Sequence, residues 1–174
     1  MKFRKNTFFR GILAIGLALS MSFLSFANTD NMWELNVKDA VVTENRRTND
    51  VSKITGTTRG MLISSVGVGL ENQGLGVGEI YGEVLCHEAM SSIRMALILQ
   101  RWDEENQSWV LVNRQEFNWN ASDLPEGEEL SMATVSYKIA GLDGTYRVRG
   151  LFGAYDLEGT YNEAWNAYTE GVDF

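Results

Sequence analysis

Short runs of aliphatic, β-branched and aromatic residues fill the sequence from residue 59 onward, and glycine, asparagine, aspartate or serine interrupts them about every ten residues. One run has an apolar residue at every second position: Ile93, Met95, Leu97 and Leu99. A period of two places alternate side chains on one face of a β-strand. The pattern therefore predicts an all-β fold, a single antiparallel β-sandwich of about 6–8 strands, with a small β-barrel as the alternative.

The sandwich is expected to span residues 59–174. The tail is predicted to close a sheet edge at 171–174, or to form one helical turn at 165–169. Residues 28–58 are polar, and their part 43–58 has no period, which predicts an N-terminal segment with a linker. The predicted strands of the domain are 60–70, 75–86, 92–102, 108–117, 130–139 and 145–152.

Residues 1–27 have the three parts of a signal peptide: a basic start, an apolar stretch and a small-residue ending at Ala27. The prediction is a secreted protein, with loose retention at the cell surface as the alternative. Cleavage removes four of the 15 basic residues and none of the 23 acids, so the mature chain would carry a net charge of −12. Such an acidic product lacks the basic footprint that nucleic acid or an anionic membrane requires, and neither is expected as a partner.

The chain contains one cysteine and one histidine, Cys86 and His87. A single cysteine forms no disulfide within its own chain, and Cys86 is predicted to be a small buried hydrophobic residue, with an exposed, bridging thiol as the alternative. Neighbours on a strand point to opposite faces, so the two are not expected to form a nucleophile pair. One cysteine and one histidine are too few for a zinc site. No metal, cofactor or catalytic residue is predicted.

Carboxylates are the remaining candidates for chemistry, since a glycosidase needs two of them in different environments. Three lie on predicted strands: Glu79, Glu83 and Glu116. A small carboxylate-dependent hydrolase is therefore kept as an alternative. Arg147 and Arg149 share one strand face and are expected to pair with Glu79 or Glu83.

Aromatic residues at strand ends and in loops form the candidate binding site. Their flat faces suit sugar rings, and clustered tyrosine and tryptophan also mark protein-binding patches. The competing interpretation is that these rings close the open ends of the sandwich. The candidate ligand-binding residues are Trp102, Trp119, Tyr155, Tyr161, Trp165 and Tyr168.

Five short features occur in order between Arg59 and the end of the chain: Arg59-Gly60, Gly-x-Gly-x-Gly at 74–78, Leu-x-Leu-x-Arg at 97–101, Trp109 and Tyr-Arg-Val-Arg-Gly at 146–150. In these the chain resembles a family of small secreted proteins of Gram-positive bacteria that carry a signal peptide, a variable polar segment and one β-rich domain of unknown function. The resemblance implies export and a β-sandwich, and no reaction. The family often has a histidine where this chain has Phe152.

Together these observations predict a secreted, non-enzymatic β-sandwich that binds an extracellular carbohydrate or protein. A factor that self-associates through an exposed strand edge is the second alternative beside the hydrolase.

Overall fold

The computed structural model describes residues 37–39, 41–48, 50–58 and 60–174. The predicted signal peptide, 1–27, lies outside the described residues. Apart from a three-residue 3-10 turn, Ala121–Asp123, the regular structure of the described residues is all strand. The strands are β1 Lys38–Asp39, β2 Val41–Thr48, β3 Val51–Thr57, β4 Ile63–Asn72, β5 Val77–Cys86, β6 Ser92–Asp103, β7 Ser108–Asn120, β8 Met132–Ala140, β9 Thr145–Tyr155, β10 Asn162–Tyr168 and β11 Val172–Asp173.

The strands form two sheets. Sheet A has the order β1-β10-β9-β6-β7, with β11 beside one end of β9, and sheet B has the order β2-β3-β4-β5-β8. Pairing is antiparallel throughout, except that β1 runs parallel to β10. Neither sheet closes on itself, so the predicted β-sandwich is confirmed and the barrel alternative is not. In the described part of the chain, no helix has the length and apolar character needed to cross a membrane.

The core lies between the inner faces of the two sheets, as the period-two pattern requires. Leu97 of β6 and Phe152 of β9 are fully buried on the sheet A side. Val68 of β4 and Ile80 of β5 are equally buried on the sheet B side. Each such side chain contributes about 1.5–3 kcal/mol when it is removed from water. This apolar layer, with no disulfide, holds the sheets together.

The segment 43–58, predicted as a linker, instead contains most of β2 (43–48) and all of β3 (51–57), which pair in sheet B. The inward positions of β3 are Ser52, Ile54 and Gly56, and all three are buried. Only one of them is a large hydrophobic residue, which explains why the sequence shows no period. The Ser52 hydroxyl compensates for its burial by accepting a hydrogen bond from the backbone N–H of Glu170, at 2.9 Å.

The tail follows the sheet-edge prediction and contains no helical turn. Residues 162–168 form strand β10, which pairs with β9, and Val172 and Asp173 pair with Tyr146 and Thr145 at the other end of β9. Trp165 and Ala167 point into the core, whereas Tyr168 lies on the outer face. Side chains alternate between the two faces to the end of β10, and residues 163–167 are buried on both faces.

Candidate functional site

The outer face of sheet A gathers aromatic and arginine side chains from four strands. The antiparallel register places Gln100 of β6 beside Arg147 of β9. It also places Trp102 opposite Trp109, across the hairpin that joins β6 to β7. Since paired residues point to the same face, these side chains meet at one end of the sheet.

Five of these side chains form a continuous row of ring–ring and cation–π contacts, which we call the arginine–aromatic ladder: Trp102, Trp109, Arg147, Tyr168 and Arg149. The ring centroids of Trp102 and Trp109 are 5.2 Å apart, with planes tilted by 59°. The Arg147 guanidinium carbon lies 4.5 Å from the Trp109 centroid and 5.2 Å from that of Tyr168. The guanidinium carbon of Arg149 lies 5.4 Å from the same Tyr168 ring. The three distances from guanidinium carbons to ring centroids are within the range of cation–π contacts.

The ladder's arginines have few polar partners. The Arg147 Nε donates a hydrogen bond to the Gln100 side-chain oxygen, at 2.9 Å. The Arg149 Nε is buried and has no hydrogen-bond partner among the residues that the structure describes. Burial, with a smaller contribution from the charge of Arg149, lowers the pKa of Arg147 below its ordinary value. The ladder therefore contains two neighbouring, partly buried cations, and no acid among the described residues forms an ion pair with either of them.

A further contact between an arginine and an aromatic ring lies at the opposite end of the same face. The Arg94 guanidinium carbon lies 5.0 Å from the ring centroid of Tyr155. A small apolar cluster lies between the two ends of the face, and Val37 packs against it. The cluster consists of Ala96, Ile98, Leu151 and Ala164.

Three of the six predicted binding residues therefore lie on this face: Trp102 and Tyr168 in the ladder, and Tyr155 at the far end. The remaining three are scattered. Tyr161 is 42% exposed in the β9–β10 turn, where the Asp156 carboxylate accepts a hydrogen bond from its backbone N–H at 3.2 Å. Trp119 stacks on Phe117 at the margin of the core, with ring centroids 6.1 Å apart.

Trp165 has a different role from the other five. It points inward from β10 and is only 6% exposed. Its indole therefore packs in the core and has no open face for a ligand. The register decides this, because Trp165 pairs with Phe152 of β9, which is fully buried in the core.

Sequence reasoning did not assign Trp109, Arg147 and Arg149 to the binding site. The sequence does contain a pattern that points to these residues. Trp102 and Trp109 flank one short polar loop, so any hairpin there brings the two indoles together. Arg147 and Arg149 alternate on one strand, but only the order of strands in sheet A places that strand within reach of both Trp109 and Tyr168.

The predicted carboxylates do not converge. Glu79 and Glu83 lie on the outer face of sheet B, whereas Glu116 lies in sheet A, where it bonds Arg114 at 2.6 Å. The expected pairing of Arg147 and Arg149 with Glu79 or Glu83 is wrong, because the two sets belong to outer faces of different sheets.

A shallow groove of about 350 Å³ crosses the outer face of sheet B, with Glu79 and Tyr81 among its lining residues. Glu79 accepts a hydrogen bond from the Ser136 hydroxyl at 2.7 Å. Tyr81 donates a hydrogen bond to Glu83. Burial, that hydrogen bond and the charge of Glu83 together raise the pKa of Tyr81 well above its ordinary value. These carboxylates thus bond to neighbours in their own sheet.

Cys86 is a free, buried thiol, as the favoured sequence interpretation expects. Burial, with a smaller contribution from the charge of Glu163, raises its pKa to about 12. His87 follows it at an exposed position. Within the described ranges, no three residues of the types His, Cys, Asp or Glu are grouped so that they could hold a metal ion.

Comparisons with known proteins add no family to this description. No protein-family model matches the chain, and a search of curated proteins finds no significant match. The resemblance to small secreted proteins of Gram-positive bacteria therefore stays a prediction.

Proposed function

We propose that this protein is a secreted, non-enzymatic binding module that recognises an extracellular carbohydrate through the arginine–aromatic ladder. The single observation that carries the proposal is the continuous row of contacts among three rings and two guanidinium groups on one sheet face. The aromatic rings of Trp102, Trp109 and Tyr168 are only partly buried in that row.

The chemistry of the ladder suits a sugar. The axial C–H groups of a pyranose pack against an aromatic face, and its hydroxyls need donors and acceptors beside that face. Arg147 and Gln100 supply both kinds of group next to Trp109. A rigid sheet holds the side chains in place, so little conformational entropy is lost when a ligand binds.

A glycan array, supplemented with cell-wall fractions, tests this proposal. Protein produced from the full-length chain is compared with Trp109→Ala and with Tyr161→Ala, an exposed aromatic outside the ladder. We expect Trp109→Ala to lose at least tenfold in affinity and Tyr161→Ala to bind normally. Uniform absence of binding by the unmodified protein, or equal binding by both variants, would overturn the carbohydrate proposal. If the ladder recognised an extracellular protein instead, the unmodified protein would bind no glycan on the array.

Self-association through β7 is a second candidate, supported by a separate observation. In the order of the described strands, β7 is the last strand of sheet A, and it is 13 residues long. Three consecutive residues on it are exposed and apolar: Val110 at 47%, Leu111 at 60% and Val112 at 46%. Long apolar edge strands are sites of intermolecular pairing.

An antiparallel pair of β7 strands centred on Leu111 would place Val110 of one copy opposite Val112 of the other, so that apolar groups meet apolar groups. Sedimentation velocity across a concentration series tests this arrangement. We expect a concentration-dependent dimer that Leu111→Lys abolishes and Leu157→Lys, at an exposed leucine away from the edge, does not. A monomer at all concentrations would remove this candidate.

A further inference from the structure

The charges of the two ladder arginines are the feature that the proposed carbohydrate function leaves unexplained. In the described ranges, ion pairs hold Arg114 to Glu116 and Lys138 to Glu79, but none holds Arg147 or Arg149 to an acid. Partly buried arginines are ordinarily paired, because a desolvated charge without a partner is costly. Two neighbouring arginines without an acidic partner are also unexpected in a chain with 23 acidic residues against 15 basic ones.

The acids near this face have other partners. Glu116 bonds Arg114, Asp39 accepts a hydrogen bond from the Asn166 amide at 2.7 Å, and Asp173 accepts one from the Thr145 hydroxyl. None of these three acids forms an ion pair of 4.0 Å or less with a ladder arginine. Hydrogen bonds from neutral groups leave Asp39 and Asp173 charged, but neither carboxylate pairs with Arg147 or Arg149. These two arginines therefore form a local positive site within an acidic molecule.

The surroundings of Arg147 restrict what its guanidinium can bind. Trp109 approaches from the β7 side and Tyr168 from the β10 side, so rings occupy the space on either side of the group. A guanidinium in contact with aromatic rings still donates hydrogen bonds in its own plane. Carboxylate and phosphate groups match that in-plane geometry with two acceptor oxygens.

Arg149 adds a second cation at the same strand face. It is two residues further along β9, and alternate strand residues are about 7 Å apart. Among the described residues its buried Nε has no hydrogen-bond partner, which makes the burial of this charged group costly.

We infer that the arginine–aromatic ladder binds an acidic glycan, whose carboxylate or phosphate groups pair with Arg147 and Arg149 while its sugar rings pack on the exposed parts of the ladder's aromatic rings. This inference rests on the proposed carbohydrate function and adds the charge of the ligand. Carboxylate and phosphate offer the same pair of acceptor oxygens, so the test distinguishes the two sources.

The experiment measures affinity for three polymers at physiological ionic strength: polygalacturonate, which carries carboxylates, a poly(glycerol phosphate), which carries phosphodiesters, and neutral dextran. Protein from the full-length chain is compared with Arg147→Gln, Arg149→Gln and the matched control Arg114→Gln, an arginine on the same face that already bonds Glu116. Near-UV circular dichroism establishes that each variant is folded.

We expect at least one acidic polymer to bind at least tenfold more tightly than dextran, and the polymer that binds identifies the acidic group. Each ladder substitution should reduce that affinity at least tenfold, and Arg114→Gln should change it less than threefold. Arg147→Lys should rescue only part of the loss, because an ammonium group lacks the planar, bidentate geometry.

The failures of the two proposals are distinguishable. Dextran binding that Trp109→Ala abolishes and the arginine variants leave intact would overturn the acidic-glycan inference and keep the carbohydrate function. Acidic-polymer binding that is equal in all arginine variants would also overturn the inference, since the ligand would lie elsewhere. Absence of binding to all three polymers, together with a negative glycan array, would overturn both.

Discussion

At the scale of single residues, Glu163 shows how one buried polar side chain holds the backbone at the start of a strand. It is 5% exposed, and its carboxylate accepts hydrogen bonds from the backbone N–H groups of Leu62 and Ile63, at 2.9 and 3.0 Å. A side chain at Gly60 would collide with that carboxylate. Glu163 thus joins β10 to the start of β4, and its position among the C-terminal aromatics serves the fold rather than a ligand.

Glu163→Ala is therefore expected to lower the free energy of unfolding by about 2–4 kcal/mol, because two buried N–H groups lose their acceptor. Glu163→Gln should lose less, since its amide oxygen still accepts. Urea unfolding followed by tryptophan fluorescence measures both. Glu158→Ala, at an exposed position of the β9–β10 turn, is the control and should change stability by less than about 0.5 kcal/mol. A control as damaging as Glu163→Ala would contradict this assignment.

Burial of the Cys86 thiol is expected to make the free energy of unfolding depend on pH in the alkaline range. The unfolded thiol ionises near pH 9, whereas burial raises the folded pKa to about 12. Between these values the unfolded state loses its proton first, so the stability present below about pH 9 falls as the pH rises toward 12.

Urea unfolding at about pH 8 and about pH 10.5 tests the effect of this thiol. Cys86→Ala should lose less stability between the two conditions than the unmodified protein does. Tyr137, whose pKa burial raises to about 12, remains in both proteins and contributes equally. Equal losses in the two proteins would show that Cys86 does not carry the effect.

At the scale of elements, glycines on the two faces of sheet B have different roles. On the inner face of β5, a Cβ at Gly82 would collide with Met95 and would lie 3.0 Å from Leu97, both fully buried. Gly82 therefore allows β5 to approach β6 closely. On the outer face of β4, a Cβ at Gly67 would meet only ordinary contacts, the nearest being Glu83 at 3.6 Å.

This difference predicts opposite effects for the same substitution. Gly82→Ala should reduce the free energy of unfolding by about 1–3 kcal/mol through overpacking. Gly67→Ala should leave it unchanged or raise it by up to about 1 kcal/mol, because alanine restricts the unfolded chain more than glycine does. Thermal unfolding of the two variants gives the comparison, and a destabilised Gly67→Ala would contradict it.

At the scale of the whole molecule, the topology requires contacts between distant parts of the chain. Strand β6 pairs with β9 as well as with its hairpin partner β7, and β1 pairs with β10 near the other end of the described chain. Closing such long loops costs entropy before the contacts form.

Refolding is therefore expected on the millisecond-to-second scale that is typical of β-sandwiches. Stopped-flow dilution from urea, followed by tryptophan fluorescence, measures the rate, and the buried indole of Trp165 should report core formation. Complete refolding within the dead time of the instrument would contradict this expectation.

The sequence by itself determined the fold class and most strands. The alternation of Ile93, Met95, Leu97 and Leu99 reports their shared face directly, since a period of two is a local property of the chain. The same logic misses β3, where inward Ser52 and Gly56 leave no apolar signal. Their burial is possible only because neighbouring strands and the Glu170 backbone satisfy their polar groups.

Only the tertiary structure decided which side chains share a surface. The sequence places Trp102, Tyr168 and Trp165 in one class of aromatic residues, but strand order and register bring the first two to the ladder and the third to the core. Arg147 and Arg149 were expected to pair with acids, and the order of strands separates them from Glu79 and Glu83. Alternation of side chains along a strand depends on adjacent residues, so the sequence shows it directly. Which strands lie side by side depends on pairing between residues far apart in the chain. A binding surface built from several strands depends on that pairing.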